Sequence, residues 1–368
     1  MKILVGNNQL KKTGGSENYT FALAIELKRQ GHEVHYFTYL KGEVSDRLEQ
    51  AGIPFMSSDS YDLLLLNHQT VVDALWHLGY TIQTCHGPQA ELEQPSPLAD
   101  EYVSVSEEVA QHLKSLGYES TVILNGIDCN RFRTIHPVSN RLTTVLSVCQ
   151  SQTANDFVRQ CCQELGVEFL QSNKHIHNVW AMEELINRSD LVVGLGRSAY
   201  DAMACGRVAL SWDSRDYMGE SLGDGLLTPE TIGESIRCNC SGRAKRIRFT
   251  REAFINELRK YTPELAAWSR EFALQNLNIQ TVAERYIERY MQAVDRGDAV
   301  RTETIGARIH LVQKRVLDIQ EKYQQAQQNL YNNHLAYLAY DRKIKTLRRM
   351  LLFYGICLVL LVCYLIVF

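Results

Sequence analysis

The sequence predicts an α/β chain of two doubly wound, Rossmann-like domains, followed by a coiled-coil helix and a transmembrane helix. Three observations predict this. Short apolar strands alternate with helical stretches over residues 1–250, and the alternation restarts after a feature-poor segment, Arg131 to Leu142. Parallel sheets covered by helices on both faces produce that pattern. Apolar residues then recur at alternating steps of three and four from Ile305 to Leu347, and the 19 residues from Met350 to Phe368 carry no charge.

Lys2 to Val5 reads as a buried strand, followed by a loop ending in Thr13-Gly14-Gly15-Ser16-Glu17 and a helix that Ser16 would cap and Gly31 would close. Glu33–Phe37, Asp62–Asn67, Thr81–Cys85, Tyr102–Val105 and Thr121–Leu124 supply the remaining strands of an N-terminal domain, residues 1–135. Thr143–Val148, Val167–Leu170, Leu191–Gly194 and Val208–Trp212 supply those of a second, residues 140–262. Residues 301–349 read as a stalk whose seam is apolar apart from Asn333, a residue type that can set register or strand number. Residues 350–368 would span roughly 28 Å as a helix, against about 30 Å of bilayer hydrocarbon. Five Lys or Arg between Asp341 and Arg349 would keep the body on the cytoplasmic side of a single-pass, carboxyl-terminal anchor, with the stalk joining copies into a homo-oligomer.

Composition narrows the function. With 45% hydrophobic residues, 22% charged and 7 prolines in 368, the chain is neither disordered nor collagen-like. The net charge of −3 conceals an acidic body, 29 Lys and Arg against 38 Asp and Glu in residues 1–300, and a basic tail with 10 against 4. An acidic body argues against a nucleic-acid partner. Cys161-Cys162 and Cys238-Asn239-Cys240 lack the spacing of a zinc site, and no metal ligand set is expected.

Ligands of doubly wound sheets bind beyond the carboxyl ends of the strands, so the strand-to-helix loops hold the candidates. Gly14 and Gly15 would let a phosphate approach the backbone at a helix start, with Glu17 early in that helix; a plain turn is the ordinary alternative. His86 follows the strand Thr81–Cys85 and could donate to a sugar hydroxyl or a leaving oxygen, although most loop histidines have no such role. In the second domain Gly194-Leu195-Gly196-Arg197-Ser198 forms a glycine-rich turn at a helix N-terminus beside a guanidinium, a geometry suited to a diphosphate. Asp201, one turn on, could accept from a ribose diol. Glycines placed only for helix–strand packing would look the same.

At these residues the sequence resembles the retaining glycosyltransferases of family four, which have the GT-B fold. Gly14-Gly15-Ser16-Glu17 is similar to the family's Gly-Gly-x-Glu loop, His86-Gly87 to its mid-domain His-Gly, and Tyr102 to Glu107 to its strand ending in Ser. Asn125-Gly126-Ile127-Asp128 with Phe132 resembles its first-domain closing motif, and Asp201 to Arg207 its Glu-Ala-Met-Ala-Cys-Gly stretch. The resemblance covers residues 1–295. It implies a UDP-, GDP- or ADP-sugar donor in the interdomain cleft, transfer with retention and no required metal cofactor. His86 and Asp201 would be the catalytic pair, Gly14, Gly15, Gly194, Gly196, Arg197 and Ser198 the donor contacts, with Glu17 and Asn125 elsewhere in the cleft. A last helix, within 263–300, would cross back to the first domain. Two departures stand out: Val193 occupies the place of the family's first paired Glu, and Val148 to Asn155 contains no basic residue. The expected function is a membrane-anchored glycosyltransferase acting on a glycan or lipid-linked acceptor at the cytosolic membrane face. The rivals are a catalytically silent GT-B scaffold and another nucleotide-sugar enzyme of this fold, such as an epimerase.

Overall fold

A computed structural model describes residues 1–172, 179–215, 219–299, 312–314, 316–317, 320–334 and 337. The chain divides into two compact units, Met1–Arg301 and Thr302–Phe368.

In the first unit the elements run β1 (Lys2–Gly6), α1 (Gly15–Arg29), β2 (Glu33–Phe37), α2 (Glu43–Gln50), β3 (Leu63–Asn67), α3 (Gln69–Leu75), β4 (Tyr80–Cys85), β5 (Glu101–Ser104), α4 (Glu107–Ser115) and β6 (Thr121–Val122). They form a six-stranded, all-parallel sheet of order β2-β1-β3-β4-β5-β6. The chain then continues through β7 (Thr144–Ser147), α5 (Gln152–Leu165), β8 (Glu168–Gln171), α6 (Met182–Asn187), β9 (Leu191–Gly194), α7 (Arg197–Ala204), β10 (Val208–Arg215), β11 (Glu220–Leu226), α8 (Ile232–Arg237), α9 (Arg251–Leu258), α10 (Pro263–Asn276) and α11 (Ile279–Arg296). Its second sheet has the order β11-β10-β9-β7-β8. The strands are near-continuous apolar runs because helices cover both faces: Leu63 to Leu66 and Leu191 to Val193 are all buried.

Two features depart from the sequence reading. Strand β11 was not expected, and it lies antiparallel to β10 at the sheet edge, with a register shift at Ser211/Trp212. Gly223 and Gly225 give this segment the composition of a turn, yet Gly223 sits where a side chain would strike the Ser211 carbonyl, so strand pairing itself demands the glycine. The final helix is two helices. Asn278 breaks it by capping α11, its side chain accepting the Gln280 amide. The break lets α10 pack on α7 while α11 packs on α1, and Ile279, Val282, Ala283 and Tyr286 enter the core of the first sheet. There the Tyr286 hydroxyl bonds those of Tyr19 and Thr84 at 2.9 and 2.7 Å.

The chain thus passes between the two sheets twice, and the passages are tied together. The Ile127 amide donates to Leu277 O (2.7 Å) and the Ile279 amide returns to Ile127 O (2.9 Å).

The expectation of a stalk, an anchor and a membrane location is corrected. Among the described residues no helix is long and apolar enough to cross a membrane, and the expected span, 350–368, lies outside them. Of the stalk, residues 320–334 are helical. Tyr323 and Leu330 on the expected seam are exposed, but so are Leu317 and Tyr331 off it, and four glutamines fill the intervening turns. A coiled coil needs its apolar residues gathered on one side, and with Leu317 and Tyr331 the described ones lie on more than one. Coiled-coil assembly into a homo-oligomer and membrane attachment therefore drop out of the functional argument.

Candidate functional site

Both sheets reverse their winding at a switch point, between β1 and β3 in the first and between β7 and β9 in the second, the places where such sheets bind ligands. The loops after β1 and β4 face those after β7, β8 and β9 across a cleft with two compartments.

The first compartment, about 270 Å³, is lined by Gly14, Gly15 and Asn18 from one side and by Gln150, Ser172, Met182, Arg197, Ser198 and Asp201 from the other. Gly14, in extended conformation, is the N-cap of α1 and helix begins at Gly15, so Ser16 is not the cap. Ser16 instead donates to Glu17 Oε2 (3.2 Å), and Gln9 donates to Oε1 (3.4 Å). A side chain on Gly14 would run into this carboxylate at 2.2 Å. Glu17 is therefore the packing partner that the glycine accommodates, and it does not line the compartment.

Arg197 and Asp201 lie one turn apart on α7 with Nε and Oδ1 3.6 Å apart, and their side chains are 10% and 11% exposed. Arg197 Nη1 donates to Gly126 O at 3.1 Å. Its Nε, and Asp201 Oδ1, are buried without a hydrogen-bond partner among the described residues. Burial lowers the guanidinium's affinity for its proton. Burial also pushes the Asp201 carboxyl up to about 6, against the pull of Arg197 and Arg131. A half-satisfied buried pair of this kind is costly to the free protein and has bonding capacity to give a ligand.

The second compartment, about 430 Å³, is lined by His86, Gly87, Pro88, Gln89, Ala90 and Glu93 opposite Gly196, Asn239, Ser241 and Arg243; Leu195 touches both compartments. Its histidine and its carboxylate are bonded within the protein. Asn67 Nδ2 donates to Gly6 O and Thr20 Oγ1, which leaves Asn67 Oδ1 to accept from His86 Nε2 at 2.8 Å. Tyr19 packs edge-on to the His86 ring. Burial lowers the pKa of His86, with Glu93 opposing, so the ring is neutral near pH 7. The Asn8 amide donates to His68 Nδ1 (3.2 Å), which places the His68 proton on Nε2, 3.3 Å from Glu93 Oε1. Glu93 Oε2 takes the His86 amide at 2.8 Å. Burial raises the Glu93 carboxyl, but His68 and His86 outweigh it and hold it below the ordinary range.

Contacts across the cleft flank both compartments. Trp180 stacks between Arg47 (4.1 Å) and Arg131 (4.5 Å) and meets Phe21 edge-on. On the other flank Arg243 forms a bidentate pair with Glu108 (2.7 and 2.6 Å), Arg237 bonds Glu107 (2.6 Å), and Asn125 donates to Asn239 (3.2 Å).

Of the residues singled out in the sequence, Gly14, Gly15, Arg197, Ser198 and Asp201 meet in the first compartment, and His86 and Gly196 line the second. Gly194 lines neither: a side chain there would lie 3.1 Å from Ser198 Cβ, so it is a packing glycine. Gly196 is at φ +56°, which favours glycine, but its amide is already given to Cys240 O, so it is not open to a phosphate. Asn125 serves the bridge to Asn239, and Val193 is fully buried in β9. The sequence reading missed Gln150, Ser172, Glu93, Asn239, Ser241 and Arg243. Gln150 and Glu93 follow strand carboxyl ends and were open to that rule; Asn239, at φ +55°, depends on a backbone turn that composition does not reveal. Among the described residues no group of three His, Cys, Asp or Glu is placed to hold a metal ion.

This architecture matches solved structures. HepE from Anabaena, crystallised with UDP and glucose, superposes with a TM-score of 0.51 at 17% identity, over 78% of this chain and 98% of that one. AviGT4, a glycosyltransferase of avilamycin A biosynthesis, gives 0.50 at 14%, over 80% and 98%. At these identities the likeness establishes the fold: two Rossmann-like α/β halves of the GT-B type. No protein-family model matches the chain, and no curated protein sequence does.

Proposed function

We propose that the chain is a glycosyltransferase that takes a sugar from a nucleotide-sugar donor bound in the cleft. The observation that carries this is the buried Arg197–Asp201 pair, which lines a cavity shared with the Gly14-Gly15 loop. A nucleoside diphosphate brings groups of the right kind to both side chains. Its ribose hydroxyls donate to Asp201 and its phosphate oxygens accept from Arg197, while the two glycines let the backbone come close. The sugar then extends past Leu195 to His86.

The driving term in this reading is electrostatic. As the glycosidic bond breaks, negative charge builds on the departing diphosphate, and a fixed guanidinium in a water-poor cleft favours that state more than the ground state. The β7–α5 loop adds no cation, since Gln150 lines the compartment there and Asn155 is spent on the carbonyls of Cys149 and Ser151. That specific lack favours the second reading, a donor-binding scaffold without turnover. Calorimetry of the full chain against UDP-, GDP- and ADP-glucose tests the proposal. Binding of one conjugate is expected, a folded chain that binds none overturns it, and binding without sugar release or transfer supports the scaffold.

A further inference from the structure

The second compartment holds a carboxylate that the proposed function does not yet use. Glu93 is the one acidic residue among those lining that cavity, and its side chain is 13% exposed. It comes from the loop after β4, on the opposite side of the cleft from Arg197 and Asp201. A carboxylate has about four lone-pair positions. Among the described residues one donor reaches each Glu93 oxygen, the His68 ring at Oε1 and the His86 amide at Oε2, so acceptor capacity remains on both.

The group is also held in place. His68 has φ +70° and ψ 130°, a conformation that strains a non-glycine residue. The strained backbone sets the His68 ring between the Asn8 amide and Glu93, and fixes its tautomer. Across the cavity Arg243 is joined to Glu108 by two bonds, so its charge already has a counterion. Glu93 remains charged because both of its neighbours stabilise the ionised form.

We propose that Glu93 is a specificity-determining residue that accepts hydrogen bonds from hydroxyls of the donor's sugar. This rests on the nucleotide-sugar reading above and deepens it. A fixed carboxylate with spare lone pairs suits a ligand group rich in O–H donors, which a neutral sugar is and a nucleotide base or phosphate is not. The same charge repels a uronic acid, so the compartment selects neutral sugars.

The test separates the nucleotide from its sugar. Calorimetry on the full chain first finds which of UDP, GDP and ADP binds, then compares it with its glucose conjugate in the wild type, Glu93→Gln and Glu93→Asp. The nucleotide alone is expected to bind all three proteins within about twofold, which also reports that each is folded. The ratio of nucleotide Kd to conjugate Kd is expected to fall about tenfold in Glu93→Gln, the size of a lost hydrogen bond to a charged group. Glu93→Asp, which keeps the charge but withdraws it by a methylene, should lower the ratio less. If UDP is the nucleotide, UDP-glucuronate should gain on UDP-glucose in Glu93→Gln. An unchanged ratio in a variant that binds the nucleotide normally overturns the assignment alone, whereas a wild-type chain that binds no nucleotide overturns the donor reading and this assignment together.

Discussion

The two compartments of the cleft are lined by the same kinds of side chain and treat them in opposite ways. Around Arg197 and Asp201 the charged atoms are buried, set 3.6 Å apart and left short of partners, and each group is pushed toward its neutral form by burial. Around His86 the ring, the amide and the Glu93 carboxylate are each bonded within the protein, and Glu93 is held ionised. The first is a site whose electrostatics a ligand completes; the second is completed in advance and waits for hydroxyls. The free protein therefore bears an energetic cost at the first and gains rigidity at the second.

The largest effect expected from this difference is on nucleotide binding. Arg197→Ala should weaken the bound nucleoside diphosphate by about a hundredfold, from the loss of charge-assisted bonds worth about 2–3 kcal/mol, as read by calorimetry. Asp201→Ala should cost less, since the ribose bonds it supplies are fewer. Unchanged nucleotide affinity in Arg197→Ala breaks the comparison, because the unpartnered atoms would then be a defect of packing with no ligand to answer it.

The stability counterpart is smaller and has the opposite sign. Replacing both charges at once, Arg197→Met with Asp201→Leu, should leave the ligand-free chain as stable as the wild type or more so, by about 1 kcal/mol, because it removes a poorly satisfied buried pair. His68→Ala should instead destabilise, since it takes a bonded partner from a buried carboxylate. Thermal unfolding of the two variants side by side checks this, and equal losses would erase the distinction between the compartments.

The pH dependence of donor binding comes next. Asp201 must be ionised to accept from two hydroxyls, and its carboxyl is raised to about 6 in the free chain. Donor affinity should therefore be full above about pH 7, be halved near pH 6 and fall by a further several-fold between pH 6 and 5, as binding has to displace a proton. The conjugate is the correct probe, because a free nucleoside diphosphate has its own phosphate titration near pH 6. Asp201→Asn should flatten the profile, and a profile unchanged in that variant would show that another group governs it.

Most of the strand plan is legible in the sequence because buried parallel strands are apolar throughout, and Leu63 to Leu66 or Leu191 to Val193 admit few other readings. Strand β11 is not, because its Gly223 is required by the close approach of Ser211 and Trp212, a contact between segments. Nor is the break at Asn278, where no Pro or Gly interrupts the helix and the decisive fact is that α10 and α11 pack on different sheets. In the site the residues of the glycine-rich turn are readable as a constellation, whereas Glu93 gains its place from His68, 25 positions earlier in the chain. The charge asymmetry of the sequence is resolved locally too: the acidic body concentrates Arg131, Arg197 and Arg243 around the cleft, and a total over residues 1–300 cannot show where cations stand.

The smallest effects should come from the ion pairs on the flank of the second compartment, and they sharpen the comparison by showing which bonds across the cleft matter. Arg237 and Glu107 are about half exposed, at 58% and 50%, whereas Arg243 and Glu108 are 16% and 24% exposed and bonded twice. Screening by water limits the exposed pair to about 0–1 kcal/mol. A double-mutant cycle on Arg237 and Glu107 should therefore give a coupling near the bottom of that range in thermal unfolding, decreasing further with salt. The cycle on Arg243 and Glu108 should give a larger coupling that salt reduces less, because both partners are shielded and the fork geometry fixes them. It should also appear in donor binding, since Arg243 lines the cavity that receives the sugar, whereas Arg237 does not. Equal couplings for the two pairs would mean that burial at this flank adds nothing to closure, and that the Trp180 stack on the other flank holds the halves together.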